Sequence, residues 1–195
     1  MNIESVVLVD EHGRAIGTAP KEQVHHARTP LHLAFSAYLF SAAGQLLLTR
    51  RAAGKRTFPG LWTNSVCGHP APGELLPDAV RRRARAELGA GVGQVRLVLP
   101  TFAYRAEMDD VVENELCPVY VGWLDPGAVL DPDPTEVAGI DWVDWTVFAS
   151  EVLAGARAVS PWCLEQVRQL QPLGDDVRRW PGAEVAQLPE AALSP

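Results

Sequence analysis

No apolar run in this sequence approaches the roughly 18 residues that a membrane span needs. No basic leader followed by an apolar core opens it either. Cysteine is scarce: Cys67, Cys117 and Cys163 form an odd, sparse set, unlike the disulfide framework of a small secreted protein. Positive charge is short as well. The 17 Lys and Arg against 24 Asp and Glu leave a net charge of −7. A nucleic-acid binder carries a basic footprint that is missing here. A cytoplasmic monomer with no nucleic-acid or membrane partner is therefore expected. A small anionic substrate is not excluded, because a few local cations can make a positive pocket. What is present is apolar material: 47% hydrophobic and 21% charged residues in 195 positions suffice for a globular core.

Glu4 to Val9 and Arg14 to Ala19 flank a turn at Asp10-Glu11-His12-Gly13 and read as a hairpin. Pro20 to Ala27 can start a short helix with Pro at its first position. Leu33 to Phe40 and Gln45 to Thr49 read as a second hairpin. Ala52 to Pro72 is rich in Gly, Pro and basic residues, and reads as a long loop with one short strand around Trp62 to Val66. Loops of that length inside a compact domain are commonly functional. Leu76 to Leu88 has the pattern of a helix closed by Gly89. Val95 to Arg105, Val111 to Trp123 and Ile140 to Trp145 read as strands, and Val147 to Ala154 and Ser160 to Leu170 as helices. From Gln171 prolines recur, which predicts a surface tail without complete order. Strands without strict βα alternation indicate an α+β fold.

Two groups of residues carry chemistry. Glu113 and Glu115 lie two apart on a predicted strand, so both carboxylates share one face. With His25, His32 and His69 they make a donor set for one divalent metal. Two glutamates on a strand are also what a solvated face looks like, and spacing alone does not bring these five residues together. The second group runs Gly68, five residues, Glu74, seven residues, Arg82, then Glu87 and Gly89. This resembles a Nudix box, a loop and helix whose carboxylates hold Mg²⁺ on a diphosphate. Two of its acidic helix positions are Arg83 and Ala86 here. Hydrolysis needs several carboxylates to hold metal and activate water. One Glu can still hold a Mg²⁺, and a guanidinium pairs directly with phosphate. The same stretch, Arg81 to Arg85, also fits a basic helix facing solvent.

The segments Leu31-His32-Leu33-Ala34-Phe35-Ser36, Phe58 through Pro70 with its Ser65-Val66-Cys67-Gly68-His69 core, Glu87-Leu88-Gly89, Tyr104-Arg105, Glu113-Asn114-Glu115 and Ser160-Pro161-Trp162 resemble the type I isopentenyl diphosphate isomerases. The resemblance spans about Val6 to Leu170. It implies a Nudix-like mixed β-sheet sandwich flanked by helices, one domain over residues 1–170 with 171–195 as a tail. It implies that isopentenyl and dimethylallyl diphosphate are interconverted through a tertiary carbocation, with an isoprenoid diphosphate as the small-molecule partner. Cys67, Glu115, Tyr104 and Trp162 would be catalytic: Glu115 with Tyr104 as donor, Cys67 as acceptor, Trp162 facing the cation. His25, His32, His69, Glu113 and Glu115 would bind one divalent metal (Mn²⁺, Mg²⁺ or Zn²⁺). Glu87 would hold a Mg²⁺ with the diphosphate, and Lys21, Arg51, Lys55 and Arg83 would contact that group. A Nudix hydrolase and a non-catalytic diphosphate binder are the competing expectations.

Overall fold

The computed structural model describes residues 4–193. Strands β1 (Ser5–Val9) and β2 (Ala15–Pro20) form an antiparallel hairpin, and the single turn α1 (Lys21–Val24) follows with Pro20 as its N-cap. Next come β3 (His32–Leu33), β4 (Phe35–Phe40), β5 (Leu46–Arg51), β6 (Trp62–Thr63) and β7 (Val66–Gly68). Helix α2 (Leu76–Leu88) leads into β8 (Val92–Leu99), β9 (Ala103–Met108), β10 (Val111–Leu116), β11 (Val119–Leu124) and β12 (Val137–Val143). Helices α3 (Trp145–Leu153), α4 (Pro161–Leu170) and the short α5 (Glu190–Leu193) close the chain. Among the described residues no helix is long and apolar enough to cross a membrane.

Two mixed sheets result. One is ordered β2-β1-β3-β10-β9, with β3 parallel to β10; the other is β12-β5-β4-β11-β8, with β4 parallel to β11. All six residues of β4 are buried. Its Phe35, Ala37 and Leu39 share a core with Leu76, Val80 and Leu88 of α2. Its Tyr38 and Phe40 share another with Trp145, Phe148 and Val167 of α3 and α4. A strand covered on both faces is apolar on both, which is why β4 shows no alternation; its one small polar residue, Ser36, is buried with its hydroxyl bonded to Gln166. The α+β sandwich expected from the sequence is the one found.

The runs Val95–Arg105 and Val111–Trp123, each expected as one strand, are each two strands in two sheets. The first breaks at the Pro100-Thr101 turn between β8 and β9, the second at Cys117-Pro118 between β10 and β11. Proline has no N–H to continue a ladder. At this level β3 also gives way to β4, and Ala34 N–H bonds to Leu116 O and Ser36 N–H to Pro118 O. Ile140–Trp145 is likewise corrected: β12 ends at Val143, and Asp144 caps α3 by accepting from Thr146 and Val147 N–H.

The long loop contributes two short strands rather than one. Strands β4 and β5 pair only at Leu39–Leu47 and Phe40–Leu46, then splay. Into the wedge run β6 along Thr49–Arg50 and β7 along Phe35–Ala37. At the fork the Ser65 hydroxyl accepts from Leu39 N–H (2.7 Å) and donates to Leu47 O (2.5 Å), and Asn64 donates to Ala37 O. These side chains satisfy backbone groups that the splay deprives of ladder partners. The wedge is what sets Cys67 opposite Ser36.

Residues 171–193, expected as a surface tail, run as three 3₁₀ turns and α5 packed on the body. Trp180 is 2% exposed, meets Trp145 edge-on at 4.9 Å and donates from Nε1 to Gly174 O. Ala183 N–H bonds to Leu97 O and Ala191 N–H to Gly13 O. The prolines stop regular helix here without preventing burial of a large aromatic. Trp180→Ala is expected to cost about 3–5 kcal/mol, the usual range for a buried aromatic. Urea unfolding measures it, and a change under about 1 kcal/mol would show the segment to be loosely attached.

Candidate active site

The pairing register assembles one cluster. On β10, Glu115 lies beside His32 of β3 on one side and beside Tyr104 of β9 on the other. His25 follows α1 in extended conformation, and His69 follows β7. All three imidazoles present Nε2 to Glu115 Oε1, at 3.9 Å for His25, 3.5 Å for His32 and 3.0 Å for His69. Nε2 of His32 and of His69 are 3.2 Å apart. His32 Nδ1 lies 2.9 Å from Pro30 O, a contact that makes Nδ1 the donor and leaves Nε2 as a lone pair. His25 Nε2 is buried with no hydrogen-bond partner. Converging imidazole lone pairs, a carboxylate and an orphaned nitrogen are the donor set of a divalent metal. His25, His32, His69 and Glu115 can hold one: their ligand atoms all lie within 4.8 Å of one another.

Burial pushes His69 down to about 4, which keeps it neutral and able to ligate. Burial acts to raise Glu115, but the three imidazoles around it outweigh that and hold it well below the usual carboxylate range. Glu113, expected among the ligands, stands beside this group rather than in it. Tyr104 Oη lies 2.7 Å from Glu113 Oε2 and 2.8 Å from Glu115 Oε2. A phenol has one proton, so one of these contacts is donated by Tyr104 and the other needs a proton from a carboxyl. Burial and the neighbouring Glu115 push Glu113 up, making it the natural holder of that proton.

Cys67 donates to Asn64 Oδ1 at 3.1 Å and lies 3.4 Å from Ser36 Oγ; burial pushes its thiol up to about 11. Trp162, 1% exposed, donates from Nε1 to the same Asn64 oxygen at 3.2 Å. Its ring centre is 5.5 Å from that of Tyr104 and 5.5 Å from that of Phe58.

The cationic end gathers Lys21, Lys55, Arg51 and Arg83; the first two are the chain's only lysines. Lys21 pairs with Glu4 at 2.6 Å, and Lys55 with Glu136. Arg83 pairs with Glu87 one helical turn away and lies 3.5 Å from Glu136. Arg51 binds Thr57 O and Phe58 O, and its guanidinium sits 5.2 Å from the Trp162 ring centre. The face of α2 carrying Arg83 and Glu87 is buried, which excludes the solvent-facing reading of this helix. Gly68 makes room for it: a Cβ there would lie 3.2 Å from Arg83 Cγ. Arg82, paired with Glu74 and bonded to His69 O, ties the loop to the helix.

These groups open on one cavity of about 550 Å³, within the roughly 300–1,000 Å³ usual for small-molecule sites. Of the thirteen residues named from the sequence, all line it but two. His32 lies behind the cluster at 0% exposure, and Glu87 faces an adjoining small cavity shared with Cys67, Arg51 and Lys55. Sequence reasoning missed Glu4, Glu136, Asn64 and Ser36 as members of the site. Asn64 and Ser36 stand within the motifs that carry the resemblance, and that is the one signal that pointed to them. Glu4 and Glu136 gave none.

The fold and the site define a NUDIX-domain protein, and the NUDIX domain family model matches residues 30–163. The crystal structure of DR0079 from Deinococcus radiodurans shares the fold, with a TM-score of 0.64 at 23% identity over 86% of this chain and 99% of that one. A Saccharopolyspora erythraea protein named isopentenyl-diphosphate Delta-isomerase is 53% identical over 192 residues, 98% of each chain. One of the same name from Mycolicibacterium vanbaalenii is 59% identical over 172 residues, 88% of this chain and 93% of its own. The chain belongs to the isopentenyl-diphosphate Delta-isomerase family.

Proposed function

We propose that this chain interconverts isopentenyl and dimethylallyl diphosphate, protonating the alkene at one carbon and deprotonating the resulting tertiary carbocation at another. One observation carries the reading. A single cavity presents Cys67, Tyr104 and Glu115 alongside Lys21, Lys55 and Arg83. Proton-transfer groups and diphosphate-binding cations then meet one small substrate, an isoprenoid diphosphate.

In the forward direction Glu115 with Tyr104 gives the proton and Cys67 takes one. A thiol up at about 11 and a carboxyl held low both favour the proton on sulfur. That is the form left after a forward turnover, so returning the proton to the Glu115 side belongs to the cycle. The same form starts the reverse reaction. The Trp162 indole faces the developing cation, worth about 2 kcal/mol when desolvated. Its burial with Phe58 and Tyr104 also keeps water from trapping the cation.

A divalent ion held by the three imidazoles and Glu115, with Glu113 beside it, would orient that carboxylate and tune its acidity. Mn²⁺, Zn²⁺ or Mg²⁺ is the candidate ion, and of these three an imidazole-rich donor set favours Zn²⁺. Glu87, in the adjoining small cavity beside Arg51 and Lys55, would share a Mg²⁺ with the diphosphate. Since Glu4 and Glu136 already pair with the cations there, a diphosphate has to displace carboxylates, and a divalent ion offsets that competition. Arg83, standing where hydrolases need a carboxylate, speaks against phosphate cleavage.

Incubation with isopentenyl diphosphate, Mg²⁺ and Mn²⁺ in D₂O tests the reading. Dimethylallyl diphosphate carrying deuterium is the expected product. Metal-loaded protein that yields none, or that releases phosphate instead, overturns it.

A further inference from the structure

We propose that Asn64 is a positioning residue that registers the Cys67 thiol against the Trp162 indole. This rests on the roles given to Cys67 and Trp162 above. Asn64 is wholly buried in the wedge between β6 and β7. Its Nδ2 donates to Ala37 O at 3.1 Å and to Val66 O at 3.0 Å. Both partners are backbone carbonyls, which only accept. Turning the amide over would press Oδ1 against two carbonyl oxygens and leave three donors facing an NH₂, so its orientation is fixed.

Oδ1 therefore points at three donors: Thr63 Oγ1 at 2.9 Å, Cys67 Sγ at 3.1 Å and Trp162 Nε1 at 3.2 Å. The indole N–H can only donate, so the Asn64 oxygen is necessarily the acceptor of that bond. Thr63 is held in turn by Ser160 at 2.8 Å, in the residue just before α4. Cys67 on β7 and Trp162 on α4 thus meet at one atom, although their elements belong to different layers. Ser36 backs the sulfur from the far strand and is itself fixed by the Gln166 amide at 2.8 Å.

The consequence is geometric. A proton acceptor and a cation-facing ring serve one short-lived carbocation only if their separation is set in advance, and a displacement of about 1 Å can cost 10²-fold in rate. The diphosphate contacts and the histidine cluster sit on other side chains, so loosening Asn64 acts on turnover and spares binding.

Asn64→Ala and Asn64→Gln test this, the second keeping the amide's donors and acceptor but moving the oxygen by a methylene. Steady-state kinetics with isopentenyl diphosphate and bound-metal stoichiometry are read for both. The expected result is a kcat about 100-fold lower, with KM within threefold and metal content unchanged. Ser65→Ala is the control: it removes two hydrogen bonds in the same wedge without touching Cys67 or Trp162. It is expected to lower Tm while keeping kcat within threefold. Either folded Asn64 variant at near wild-type kcat overturns the proposal, and so does an equal loss of kcat in Ser65→Ala. Wild-type turnover in the same assay separates this outcome from failure of the isomerase reading, because a wild type without turnover sinks both.

Discussion

Cys67→Ala is expected to lower kcat for isopentenyl diphosphate about a thousandfold while the fold and metal content stay intact. Removing a positioned proton carrier costs 10²- to 10⁴-fold in known cases, and a thousandfold is about 4 kcal/mol of barrier. The thiol is small, and its contacts are one bond to Asn64 and one to Ser36. Alanine fills nearly the same space, and Asn64 keeps its other four partners. Loss of activity with an unchanged Tm therefore reports chemistry. KM should stay within a few-fold, since Lys21, Lys55 and Arg83 are untouched. A rate within tenfold of wild type would remove Cys67 from the mechanism.

Glu115→Gln is expected to have the larger and broader effect, because two functions converge on that carboxylate. Oε1 faces three imidazoles, and Oε2 faces Tyr104. The amide cannot give up a proton as an acid does, so turnover should fall by 10³-fold or more. It also loses the negative charge that balances a divalent ion, so bound metal measured by elemental analysis should drop well below one per chain. His25→Ala separates the two functions: it removes a donor from the metal group and leaves the Tyr104–Glu115 contact alone. It is expected to weaken metal binding, with turnover recovered at high metal concentration, whereas Glu115→Gln recovers nothing. Equal rescue of both by metal would reduce Glu115 to a ligand only.

The site was legible to uneven degrees. Residue types offered possible metal donors, but only the family resemblance joined His25, His32, His69, Glu113 and Glu115 into one set, and the structure gathers four of them with Glu113 beside. Helix α2 announced itself through period and through Gly89, which sits at φ 66 where a left-handed cap is required. The two long strand readings failed because proline marks a break without saying that the chain changes sheet there. The tail reading failed because Trp180 has no periodic neighbours, so its burial against Trp145 leaves no local pattern. Glu4 and Glu136 stayed invisible for a related reason: a lone carboxylate acquires meaning from the cation it meets.

By itself, then, the sequence determined local matters: the helices α2, α3 and α4 and the strand character of most of the sheet residues, though not where a strand changes sheet; which residues can ligate or move protons; and that α2 lacks the carboxylates of a hydrolase. Tertiary structure alone decided which of them act together. His69 and Glu115 are 46 positions apart, and Trp162 and Asn64 98. Strand register and helix packing set such meetings, through hydrogen bonds and buried surface shared between distant segments. The pattern within a segment says which face it buries, not which distant segment it will meet. So the Cys67–Asn64–Trp162 junction and the histidine ring around Glu115 became readable only when the wedge and the parallel β3–β10 pairing were in place.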